Sequence, residues 1–70
     1  MNLPHQLATE LVRVTELRCR YEGLRGMRQA NPEPAITLMN LAISAGIEAF
    51  GSGDAAAMMD AVQQLKGFTD

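Results

Sequence analysis

Residues 34–50, PAITLMNLAISAGIEAF, contain only four polar side chains: Thr37, Asn40, Ser44 and Glu48. Their spacings of three, four and four place all of them on one narrow stripe of a helix and leave roughly two thirds of its circumference apolar or glycine. A chain of 70 residues has little other material with which to cover so wide a face. The cover expected is therefore a second copy of the chain or another protein.

The rest of the chain is consistent with this. One domain is all that 70 residues allow, and its core contributes roughly 3–5 kcal/mol unless the fold is stapled or associated. Cys19 is the only cysteine and His5 the only histidine, so neither an intrachain disulfide nor an unaided tetrahedral metal site can form. No cofactor is implied, and a reducing cytoplasm fits. The start MNLPHQL has no basic segment followed by an apolar one, which argues against a secretory signal. Asn40, Ser44 and Glu48 interrupt the apolar stretch and leave it short for a bilayer, so no membrane partner is expected.

The periodicity predicts an all-α fold, an antiparallel helical hairpin with a short third helix, in a single domain over 1–70. Leu3, Leu7, Leu11, Val14, Leu17, Tyr21 and Leu24 recur at three- and four-residue steps and predict a first helix over about 3–30. The segment NPEP at 31–34 breaks it, since each proline disfavours the α region at the preceding residue. Asn31 is the expected N-cap of a second helix over about 32–50, with Pro32 in its first position. GSGD at 51–54 ends that helix, and Ser52 or Asp54 caps a third over about 54–66, with Met58, Val62 and Leu65 inward and Phe68 folded back on the last turn. A first helix of that length overhangs the second by about two turns, which again asks for a partner. The expected core and dimer contacts are Leu17, Leu24, Leu38, Met39, Ala42, Ile43, Ile47 and Phe50, with the methionines Met39, Met58 and Met59 as ordinary core filling. Ala8, Val12, Cys19, Gly23, Gly26 and Ala30 form a second, mostly small face on helix 1, expected to be a close contact, the alternative being that the helix frays or kinks after Leu24; Cys19 should pack there as a small hydrophobe.

Charge divides the chain. Residues 1–31 hold five arginines against three glutamates, a balance of +2, whereas 32–70 hold Lys66 against Glu33, Glu48, Asp54, Asp60 and Asp70, a balance of −4. The arginines sit beside helical glutamate neighbours, Glu10 with Arg13, Glu16 with Arg20 and Glu22 with Arg25, which reads as a solvated, salt-bridged helix. The functional reading of the same positions is a partner-binding surface formed by Arg13, Arg18, Arg20, Tyr21, Arg25 and Arg28, because arginine and tyrosine combine apolar area with directional polar groups.

No catalytic constellation is legible. His5 has no carboxylate or cysteine at ligand or triad spacing, and Gly51-Ser52-Gly53 lacks the following lysine of a phosphate loop. A helix-turn-helix reading would make helix 3 the recognition helix, yet it has no arginine and a single lysine, which argues against nucleic acid.

Two resemblances add expectations. GIEAFGSGDAAAMMDAV resembles in outline one tetratricopeptide repeat, with Ala or Met at most of that repeat's large aromatic positions. The whole chain, with LRGMRQANPEPAI between an arginine-bearing helix and an apolar one and LKGFTD at the end, resembles the small early-region proteins of Mu-like Pseudomonas phages. That group includes an anti-quorum-sensing helical dimer that inhibits a host transcription regulator and a pilus motor ATPase. The resemblance implies a non-enzymatic homodimer that acts in the host cytoplasm by binding a host protein as an inhibitor or adaptor. A small DNA-associated regulator and a structural subunit of a larger assembly are the alternatives.

Overall fold

A computed structural model describes residues 2–27 and 31–69. They form three helices, α1 (Leu3–Glu22), α2 (Glu33–Ser52) and α3 (Ala55–Lys66), with no strand among the described residues. The body is elongated, 43 × 17 × 16 Å.

Helix α1 starts where Asn2 caps it, its Oδ1 accepting from the His5 amide at 3.0 Å. It stops at Glu22, eight residues before the expected end, and the backbone continues in tight turns, with the amides of Leu24 and Met27 donating to the carbonyls of Tyr21 and Leu24. The cause is the glycine pair. Gly23 and Gly26 each cost about 1 kcal/mol relative to alanine within a helix, and a Cβ at Gly26 would meet no atom within 4 Å, so no packing offsets that cost. The expected close contact at Gly23 and Gly26 is therefore not made within this chain. Cys19 on the same side is exposed rather than packed. Ala30 lies outside the described residues.

Helix α2 has the same 20 residues as α1, roughly 30 Å each, so the expected overhang disappears. Its N-cap is Pro32 rather than Asn31, and no side chain caps it. The helix runs through Gly51 to Ser52 and ends at Gly53, whose φ of 70° is left-handed and suits glycine. The Ser52 hydroxyl donates to the Ala49 carbonyl at 2.8 Å and accepts from the Asp54 amide at 3.1 Å, and Asp54 caps α3 by accepting from the Ala56 amide at 3.0 Å. Leu11 of α1 lies against Gly46, Arg18 reaches Asn40, and Arg25 meets Glu33. Numbers rising on one partner fall on the other, which makes the hairpin antiparallel.

Each helix packs on the other two, and their shared core holds Leu7, Val14 and Leu17 of α1, Met39, Ala42 and Ile43 of α2, and Met58, Val62 and Leu65 of α3. Of the expected core set, Leu17, Met39, Ala42 and Ile43 are buried and Leu24 is half-buried. Leu38, Ile47 and Phe50 are exposed, and so is Met59. The reason lies in the polar stripe: Thr37, Asn40, Ser44 and Glu48 all face solvent. With α1 and α3 covering the opposite side of α2, the apolar residues on the two shoulders of that stripe are left uncovered.

By length and composition α2 could cross a membrane, with a mean hydropathy of 1.3, so the expectation that it is too short does not hold for the whole helix. A third of that window is buried against the rest of the fold.

Candidate interaction surface

The arginines are distributed around α1 rather than gathered on one strip. Arg13 points to α3, where Nη1 donates to the Phe68 carbonyl at 2.7 Å and Nη2 to the Leu65 carbonyl at 2.8 Å, while Glu10 accepts from its Nε and Nη2 at 3.2 Å. Arg18 points to α2, donating to Asn40 Oδ1 at 2.8 Å and pairing with Glu22 at 3.3 Å. Arg25 pairs with Glu33 across the turn between α1 and α2. That partner raises the Arg25 guanidinium above its ordinary value, first through the hydrogen bond and then through its charge. Tyr21 is half-buried and packs on the core, and Arg20 is exposed in the last turn of α1. Arg28 lies outside the described residues. Of the expected partner-binding residues, Arg13, Arg18 and Tyr21 are thus built into the joints between helices.

The glutamate partners follow helical spacing only in part. Glu10 and Arg13 pair as expected. Glu22 is within ion-pair distance of Arg18, four residues earlier, and Glu33 takes Arg25.

What the fold leaves open is apolar. Val12, Leu38, Leu41, Ile47 and Phe50 are all about half exposed or more. Two adjoining hollows lie between α1 and α2. One of about 240 Å³ is lined by Leu11, Val12, Thr15, Glu16, Ile43 and Ile47. The other, about 290 Å³, is lined by Ala8, Leu11, Val12, Ile47 and Phe50. Spacing places Val12 on the small-residue face of helix 1, and that part of the face, with Ala8, is where the hollow forms. The four-residue step from Ala8 to Val12 was the available signal. Leu11, read as core, is only half-buried, and its side chain lies directly over Gly46, where the lack of a Cβ permits the close approach.

The opposite groove, between α2 and α3, is acidic: Glu48, Asp54 and Asp60 line a hollow of about 390 Å³ floored by alanines. Its charge disfavours a phosphate backbone. His5 and Cys19 stand 14 residues apart on α1, roughly 21 Å, too far to act as a base and nucleophile. No group of three or more metal-ligating side chains comes together among the described residues.

Comparison with protein-family models, curated proteins and solved structures returns no match to this chain.

Proposed function

We propose that the chain is a non-catalytic protein-interaction module: a homodimer that works by docking on another protein as an inhibitor or adaptor. The observation that carries this reading is the exposure of Val12, Leu38, Leu41, Ile47 and Phe50 on so small a fold. Exposed apolar patches on a small protein, here one on each shoulder of α2, mark interaction sites. The hydrogen bonds of Arg13 to the end of α3 and of Arg18 to Asn40 on α2 favour a structural role for these two, so the contact energy resides in the apolar shoulders of α2 and in Val12. The resemblance to phage early-region proteins supplies the specific form, a host regulator or motor ATPase held inactive by direct binding.

Calorimetric titration of the purified chain against a purified quorum-sensing transcription regulator and a pilus motor ATPase tests this form. Saturable binding to either that is lost in Leu41→Asp, with helicity intact, supports it. Absence of heat with both at about 100 µM contradicts the inhibitor form. Salt-sensitive binding to duplex DNA instead would favour the regulator alternative.

A further inference from the structure

We infer that the second copy of the chain sits on the α1/α2 face, in a two-fold contact in which Val12 and Ile47 of each protomer enter the hollows of the other. This rests on the homodimer reading above and specifies its interface. A two-fold contact uses the same patch on both subunits, so that patch must be complementary to itself. The α1/α2 face has both halves of such a fit. Val12 and Ile47 project from it, 59% and 60% exposed, and the two hollows beside them share Leu11, Val12 and Ile47 as walls.

Charge and size point to the same occupant. Glu16 is the only ionisable residue lining either hollow, so two copies can approach face to face with little like-charge repulsion, and a strongly charged partner finds almost nothing to pair with. A stable dimer needs roughly 600–800 Å² from each partner, about a sixth of the 4695 Å² surface of this chain. Two 20-residue helices side by side, about 30 Å long on a body 17 Å wide, present a projected face of at most about 500 Å², to which the relief of the exposed side chains adds. Leu38 and Leu41 lie on the other shoulder of α2, so the dimer leaves them open to a further partner.

The test uses the full chain. Sedimentation of wild type, Val12→Asp and Leu41→Asp should give a dimer for wild type and Leu41→Asp, and a dissociation constant raised roughly a hundredfold or more for Val12→Asp. Helical circular dichroism should be unchanged, because Val12 is exposed in the single chain. In a Cys19→Ser background, Val12→Cys should form a disulfide-linked dimer on oxidation. A dimer unaffected by Val12→Asp, with no cross-link, overturns this interface and leaves the homodimer reading standing. A monomeric wild type overturns both. If Val12→Asp also loses helicity, the cross-link decides: its formation supports the interface and its absence rejects it.

Discussion

Arg13 Nη2 donates to the carbonyl oxygen of Leu65 at 2.8 Å, joining the middle of α1 to the last turn of α3 across 52 residues of sequence. A second bond from the same guanidinium reaches the Phe68 carbonyl, two residues beyond the helix. The Leu65 carbonyl already accepts from the Phe68 amide at 3.1 Å, and a planar fork held by Glu10 adds charge-assisted donors to both carbonyls at once. Arg13→Ala should therefore destabilise the fold by about 1–3 kcal/mol, read from urea unfolding followed by circular dichroism. Arg13→Lys should recover only part, since an ammonium cannot reproduce the fork. An unchanged midpoint for Arg13→Ala would mean that the clamp contributes nothing.

Such a joint is invisible to helical spacing, which explains much of what the sequence concealed. Glu10 with Arg13 was legible because both lie on one helix, whereas Leu65 and Phe68 approach only after α3 has folded back. The breaks at residues 31–34 and 51–54 were legible because proline and glycine act locally, and α2 and α3 accordingly lie within a residue or two of their expected bounds. The end of α1 was misread because Tyr21 and Leu24 keep the apolar period going past Gly23. Periodicity records what a helix would bury, and the chain beyond Glu22 has too little to bury against. Leu38, Ile47 and Phe50 were recognisable as apolar, but only the packing shows that α1 and α3 cover the middle of that breadth and not its shoulders.

Ile43 and Ile47 share a helix and a residue type but not a fate. Ile43 is 8% exposed and lies in the core, so Ile43→Asp should unfold the chain, because an unpaired buried carboxylate costs several kcal/mol. Ile47→Asp should leave helicity intact and weaken association. Equal loss of helicity in both would mean that folding and association are one step.

Gly46 gives a test of packing beside the hollow. A Cβ there would lie 2.7 Å from Leu11 Cδ2, the end of a flexible side chain that borders open space. Gly46→Ala should be tolerated, changing stability by no more than about 1 kcal/mol as helix propensity offsets the displacement of Leu11. Gly46→Leu should cost about 1–3 kcal/mol by overpacking against Leu11 and Leu65. Thermal melts of the two variants check the order.

Gly53 is the one described residue with positive φ, and Gly53→Ala should lower stability by about 1–2 kcal/mol through the left-handed backbone alone. Gly26→Ala, with open space around it, should not lower it at all. A destabilised Gly26→Ala would instead restore the close contact expected of that face.

The central claim, that exposed apolar surface on this fold is contact surface, is tested most directly by the mass of the wild-type chain in solution. Sedimentation equilibrium between about 1 and 100 µM should return twice the chain mass of 7.6 kDa. A fully helical species of 7.6 kDa throughout that range would contradict the account.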